Sequence, residues 1–192
     1  MRASAATEPP EQAVLPPRSV RSPDVGIAVP SHYGQCFGCG SDHPTGLHLR
    51  VVAGEGLTLT AELLVRETHQ GSPGLAHGGL VAAALDEVLG SLNWLIGTPA
   101  VTARLETEYR RPVPVDSLVH LSAEVTGVVG RKVYCRGEAR LGSVDGPLAA
   151  EACALFVQVP LEHFRQHGRS QDVEAARANL APGESRAYEV NP

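Results

Sequence analysis

The stretch that decides the fold is GGLVAAALDEVLGSLNWLI, which occupies residues 78–96. It contains no proline and few polar residues, and Ala and Leu dominate it. We therefore predict one long helix that is apolar nearly all round, and a helix of that composition is buried. Thr98-Pro99 marks its end, because the residue before a proline is biased away from helical conformation.

Strand-like segments lie on both sides of this helix. Before it, residues 47–53 and 56–66 have extended character, and the second segment alternates apolar with polar residues. After the helix come four further segments, at residues 100–111, 117–129, 131–141 and 147–159. The first of these four alternates Val101, Ala103 and Leu105 with Thr102, Arg104 and Glu106. The turns between them are short, so we expect antiparallel neighbours.

One helix is then the only large element able to cover one face of this sheet. We predict the α+β class and the hotdog fold, an antiparallel sheet of about six strands wrapped around one long buried helix. The corresponding domains are a tail over residues 1–30, flexible or forming a lid, and a hotdog domain over residues 31–160. Residues 161–192 follow as a helical segment and tail, with a break near Gly168.

Composition excludes several classes of partner. The 192 residues carry a formal net charge of -5, which disfavours a general nucleic-acid binder. No segment supplies the roughly 18–20 uninterrupted apolar residues of a membrane span. The first ten residues lack the apolar stretch of a signal peptide. We expect a cytoplasmic protein with neither a nucleic acid nor a membrane as partner.

The start of the helix suggests acyl chemistry. Two glycines follow His77, so the first backbone N–H groups are sterically open and, with the helix dipole, favour negative charge. The oxygen of a carbonyl undergoing acyl transfer is such a charge. Asp86 lies on the same apolar helix, where burial raises a carboxyl pKa and suits a general base. A tight loop exit and a solvent-facing carboxylate are the alternative interpretations.

The spacing of these groups predicts a dimer. Eight residues separate Gly78 from Asp86, which is about 12 Å along a helix. A single thioester carbon cannot lie within hydrogen-bonding distance of both groups in one chain. If both serve one reaction, they come from two chains whose helices pack antiparallel, with two composite sites at the interface.

Three segments resemble one family. HQGSPGLAHGGLVAAALDE at residues 69–87 resembles the active-site helix of hotdog acyl-CoA thioesterases of the phenylacetate-pathway (PaaI) type. VTARLETEYRRPVP at 101–114 and GRKVYCRGEARL at 130–141 resemble that family's following strands. The resemblance extends from about Cys36 to Val159. It implies hydrolysis of an acyl-CoA substrate, no cofactor, and a homodimer that can pair further into a homotetramer.

The resemblance also implies roles for single residues. Asp86 is the carboxylate that activates water or attacks the thioester, and the Gly78 N–H polarises the carbonyl. Thr102 positions the water or the carboxylate, although it could equally be an ordinary strand residue. His77 fixes the loop or hydrogen-bonds near the thioester, and its alternative is a structural helix cap.

Other residues are expected to bind substrate or CoA. Some family members have an Asn six residues before the His; Gly71 stands there in this chain, a gap that Gln70 or His69 could fill. Gly79 contributes beside Gly78. Basic residues meet CoA phosphates, and we favour Arg131 and Lys132 over the pair Arg110-Arg111.

Two further features remain. Glu87 points about 100° away from Asp86 around the helix, and we predict that it makes a structural salt bridge. The alternative is that Glu87, rather than Asp86, is the catalytic acid. Residues 36–40 read CFGCG, and we predict a tight turn without a metal. The alternative is a structural zinc site built from Cys36, Cys39 and two of the nearby histidines, which are His32, His43 and His48.

Two other functions compete with the thioesterase. A hotdog dehydratase or hydratase acting on acyl-CoA or acyl-ACP pairs a His with an acid at a different spacing. A non-enzymatic acyl-CoA binding protein would use the same pocket as a sensor, a class that usually carries a DNA-binding segment, and none is evident in the sequence.

Overall fold

The computed structural model describes residues 4–178, which form one antiparallel sheet with a long helix packed against it. The strands are β1 (Val52–Ala53), β2 (Thr58–Leu64), β3 (Ala100–Tyr109), β4 (Leu118–Val129), β5 (Lys132–Leu141) and β6 (Leu148–Gln158). The helices are α1 (Gly78–Ile96), α2 (Glu162–His167) and α3 (Ser170–Ala178), with a 3-10 turn at Glu67–His69. The strand order is β1-β2-β4-β5-β6-β3, and the predicted fold class is confirmed.

Helix α1 has the predicted bounds because a capping residue lies at each of its ends. It begins after His77, which caps it, and ends at Gly97, whose φ of 81° is the left-handed conformation that glycine adopts at helix ends. Val88, Leu89 and Leu92 lie at 0–1% exposure against the sheet. The helix is long and apolar enough to cross a membrane, and half of it is buried inside the domain, as in a core helix.

Helix α1 packs against the sheet as predicted, but its burial is not uniform. The face that carries Ala82, Ala83, Asp86, Glu87 and Gly90 is only half-buried. Asp86, Glu87 and Gly90 on this face border a cavity.

The first predicted strand is shorter than expected. Leu47, Leu49 and Val51 do alternate as buried residues, but the N–H groups of Leu47 and Leu49 donate to Phe37 and Gly38 at 2.7 and 2.9 Å. His48 has a positive φ of 51°, which interrupts regular pairing. Only Val52–Ala53 therefore joins the sheet.

Strand β3 forms one edge of the sheet and carries a bulge. Its register with β6 shifts between Thr102 and Arg104, so that Ala103 is the extra residue. The predicted alternation fails here, because Ala103 is exposed like its two neighbours. Among residues 4–178, β6 is the one strand paired with β3.

The segments that flank the sheet lie against it. Thr7 is buried, and its hydroxyl donates to Glu106 on β3 at 2.7 Å. Val14 pairs with Val128 of β4 through two hydrogen bonds. After β6, helices α2 and α3 are separated near Gly168. The parts of the predicted tails at residues 1–3 and 179–192 fall outside the described residues.

Candidate active site

Asp86 and Thr102 meet at the half-buried face of α1. The Thr102 hydroxyl donates to the Asp86 carboxylate at 3.0 Å. The β3 bulge begins at Thr102, and bulges redirect neighbouring side chains. Burial raises the pKa of the Asp86 carboxyl above its usual range, and the hydrogen bond from Thr102 opposes that rise.

A cavity of about 400 Å³ opens beside this pair. Its apolar wall includes Trp94, Phe156, Leu161 and Phe164, from α1, β6 and the segment that begins α2. Its polar lining includes Asp86, Glu87, Ser91, Asn93 and Thr102. A concavity in which apolar walls hold polar groups that can orient a ligand is the usual form of a small-molecule site.

The start of α1 presents one free donor. The ring Nδ1 of His77 accepts the Gly79 N–H at 3.0 Å, so His77 is the helix cap and that N–H is occupied. The Gly78 N–H has no hydrogen-bond partner within residues 4–178. The Tyr109 hydroxyl donates to the Gly78 carbonyl oxygen at 2.8 Å and thereby fixes the first peptide of the helix.

Comparison with known proteins agrees with this fold. The family model described as Thioesterase superfamily matches residues 73–145. A crystal structure of a thioesterase superfamily protein superposes with a TM-score of 0.57 at 30% identity, covering 62% of this chain and 60% of that one. Residues 73–145 are therefore similar to the thioesterase superfamily, and the chain has the hotdog fold.

Relatives of the hotdog domain include acyl-coenzyme A thioesterase THEM4 from Bos taurus, which is 38% identical over 94 residues. That alignment covers 48% of this chain and 38% of the bovine protein, so the match spans well under half of the relative's length. A point mutant of the phenylacetic acid degradation protein PaaI from Thermus thermophilus superposes with a TM-score of 0.54 at 25% identity. This superposition covers 59% of this chain and 95% of the PaaI chain.

Within one hotdog domain, the two predicted halves of the site are separate. Gly78 is the first residue of α1 and Asp86 its ninth, a separation of about 12 Å along the helix axis. Gly78 borders a different concavity, lined by Tyr109, Arg110 and Arg111 among others.

The position before the helix where some PaaI-type proteins have Asn is closed in this chain. A Cβ on Gly71 would lie 2.8 Å from the His77 Cα, closer than real Cβ contacts. Gln70 is exposed, and its side-chain oxygen accepts the Gly74 N–H. His69 is buried and accepts the Arg66 N–H at 3.1 Å. Gln70 and His69, the two residues expected to fill the gap left by Gly71, therefore stabilise the loop through these hydrogen bonds.

The two basic pairs occupy different regions. Arg131 and Lys132 are exposed at the β4–β5 turn, and Arg131 donates to the Gln158 carbonyl at 3.4 Å. Gln158 pairs with Ala100, which lines the cavity beside Asp86. Arg110 is bound by Glu108 and Glu151, whereas Arg111 donates to a backbone carbonyl at 2.7 Å.

Glu87 does not make the predicted salt bridge within residues 4–178. Its carboxylate instead lies 3.4 Å from the Cys36 Sγ. Burial raises the pKa of the Glu87 carboxyl, while hydrogen bonds from Cys39 and His32 lower the pKa of the Cys36 thiol. Sequence reasoning missed this contact, and it also missed Tyr109, whose only signal was its place directly before Arg110-Arg111.

Proposed function

We propose that this chain is an acyl-CoA thioesterase, an enzyme that hydrolyses an acyl-CoA to a free carboxylic acid and CoA. The observation that carries the proposal is the half-buried Asp86 carboxylate, bound by Thr102 beside a cavity with an apolar wall. The bovine relative is itself named an acyl-coenzyme A thioesterase. A volume of about 400 Å³ lies within the usual range for small-molecule sites, so we assign the cavity to the acyl group.

In the proposed reaction, Asp86 acts on the thioester carbon by one of two routes. As a base, it takes a proton from water, the water oxygen attacks the carbon, and the C–S bond breaks. Asp86 then returns the proton to the departing CoA sulfur. As a nucleophile, its oxygen attacks the carbon and expels CoA thiolate, and water cleaves the resulting mixed anhydride. Thr102 orients the carboxylate in both routes.

We propose that the carbonyl-polarising donor is the Gly78 N–H of a second copy of the chain. This donor has no partner among residues 4–178, and within one chain it lies too far from Asp86 to act on the same carbon. Two features support a twofold dimer, namely the half-buried face of α1 and the edge of β3. Such dimers could pair again into a tetramer. His77 then serves as the cap that leaves the Gly78 N–H available, and Gly79 and Gln70 shape the loop around the substrate.

We assign the phosphates of CoA to Arg131 and Lys132. Both side chains are exposed. Both residues lie at the same end of the sheet as Ala100, which lines the cavity. Guanidinium and ammonium groups bind phosphate oxygens through charge-assisted hydrogen bonds. Arg111 beside Gly78 is the second candidate, because within residues 4–178 it contacts a backbone carbonyl and forms no ion pair.

A panel of thioesters tests the activity. We expect the full chain to release CoA thiol from at least one straight-chain, branched or aryl acyl-CoA, detected with a thiol reagent. Given a 2-enoyl-CoA or 3-hydroxyacyl-CoA, a dehydratase or hydratase would change the enoyl absorbance without thiol release, and a sensor would bind acyl-CoA with neither change. Absence of thiol release across the panel would refute the proposal.

Tyr109→Phe tests the contact at the helix start. Loss of one hydrogen bond to the Gly78 carbonyl, about 1 kcal/mol, should lower kcat about fivefold. KM should stay near wild type and the melting temperature should fall by no more than about 4 °C, because the ring is 53% exposed and is retained. A lower melting temperature with unchanged kcat would assign Tyr109 to stability instead.

A further inference from the structure

Four side chains with metal-binding atoms meet where residues 31–40 pack against α1. They are His32, Cys36, Cys39 and Glu87, and their ligand atoms all lie within 4.8 Å of one another. Both cysteines are free thiols. The proposed hydrolysis uses none of the four.

Two of their separations match the edges of a tetrahedral zinc site. The Cys39 Sγ lies 3.5 Å from the His32 Nδ1, and the Cys36 Sγ lies 3.4 Å from the Glu87 Oε2. Zinc binds sulfur at about 2.3 Å and nitrogen or oxygen at about 2.0–2.2 Å, so tetrahedral S···N and S···O edges measure about 3.6 Å. The ligand atoms therefore need little rearrangement to bind an ion between them.

The backbone is built to present both sulfurs on one side. The Gly40 N–H donates to the Cys36 carbonyl at 2.9 Å, which closes the C-x-x-C turn. A Cβ on Gly40 would lie 2.3 Å from the Gly34 carbonyl oxygen, so the turn requires glycine there. The Ser31 hydroxyl lies 3.3 Å from the Cys39 Sγ, where it can hydrogen-bond a ligand sulfur.

Charge also favours a cation. Two thiolates and a carboxylate would carry three negative charges in a partly buried cluster, and His32 is the one basic side chain among its four members. No Lys or Arg in the described part of the chain forms an ion pair with Glu87. A divalent ion would compensate most of this charge at the shortest possible distances.

We propose that His32, Cys36, Cys39 and Glu87 bind one zinc ion as a structural site that fastens residues 31–40 to the central helix. Two soft thiolates with one imidazole and one carboxylate suit zinc better than harder cations. Protein ligands fill all four positions, which leaves none for a reacting water.

The proposed site departs from the metal-free turn expected from the sequence, and its ligands differ from those of the zinc alternative. His43 packs edge-on against Phe37 with ring centroids 5.5 Å apart, and the His48 Nδ1 lies 2.8 Å from the Gly40 carbonyl oxygen. Glu87 takes the place of a second histidine. Because His32 and Cys36 also line the cavity beside Asp86, the ion would hold one wall of that cavity in place.

Metal analysis of the full, tag-free chain tests the site. We expect about one zinc per chain after dialysis against a mild chelator. The double variant Cys36→Ser/Cys39→Ser should retain less than about a tenth of that zinc, and Glu87→Gln should bind it at least about tenfold more weakly. The matched controls Cys153→Ser and His43→Ala, which change a cysteine and a histidine outside the cluster, should keep the full amount.

A second measurement does not depend on variants that could fail to fold. Cobalt exchanged into wild-type protein should give sulfur-to-metal charge-transfer absorption and the visible bands of a tetrahedral site. Wild-type chain with no more zinc than the double variant would overturn the proposal, as would a Cys36–Cys39 disulfide in freshly isolated protein. Neither result bears on thioesterase activity, which the acyl-CoA panel decides separately.

Discussion

Replacing Asp86 with Asn is expected to lower kcat for acyl-CoA hydrolysis about a thousandfold without destabilising the protein. The amide keeps the shape of the carboxylate and can still accept the hydrogen bond from Thr102. It cannot act as a base or nucleophile. Because burial opposes ionisation of Asp86, the neutral residue should leave the melting temperature unchanged or higher. Initial rates of thiol release and thermal unfolding measure the two effects.

The matched control for this experiment is Ser91→Ala, which alters another half-buried polar side chain of the same cavity. It should hydrolyse acyl-CoA at a rate close to that of the wild type. An Asp86→Asn variant with full activity would contradict the mechanism while leaving the fold assignment intact. A large loss in both variants would show that the cavity tolerates no change, and Asp86 would lose its assigned role.

Two variants that are each inactive alone should regain activity when one chain of each forms a mixed dimer. Gly78→Pro removes the N–H proposed to polarise the carbonyl, and it should lower kcat about 10²–10³-fold. Proline is accepted at the first position of a helix, and His77 before it already has the extended ψ of 130° that proline requires. In a purified mixed dimer with Asp86→Asn, one site combines the intact halves of both chains. That dimer should therefore show about half the wild-type kcat.

Gly78→Ala is the control, since it keeps the N–H. Its added Cβ would lie 3.5 Å from the Tyr109 ring, an ordinary contact, so activity should remain near wild type. A mixed dimer as inactive as its parents would contradict the composite site. So would a wild-type chain that is monomeric and fully active.

The sequence predicted the parts of the fold that depend on local pattern. The bounds of α1 were correct because an uninterrupted apolar run lies between His77 and Gly97, residues that begin and end helices for local reasons. The β3 bulge was not predictable, because it is defined by pairing with β6 about 50 residues later. The shortening of β1 likewise depends on residues 37–38, which take the hydrogen bonds that a neighbouring strand would have used.

The contacts of the candidate site were also predictable only in part. The pairing of Asp86 with Thr102 was expected from family resemblance, since no pattern within the chain links positions 16 residues apart across a turn. The contact of Glu87 with Cys36 joins residues 51 positions apart, and nothing in either local sequence indicated it. We expected a salt bridge for Glu87 because a basic partner is the commonest solution for a helical acid. The contact between Glu87 and Cys36 becomes evident only in the structure, where residues 31–40 pack against α1.

The close contact of Gly71 with His77 limits which side chains residue 71 can carry. A Cβ there would lie 2.8 Å from the His77 Cα, so any larger residue forces the loop away from the helix cap. The loop and the start of α1 are therefore mechanically coupled, and a side chain at residue 71 acts on the helix start before it can reach any substrate.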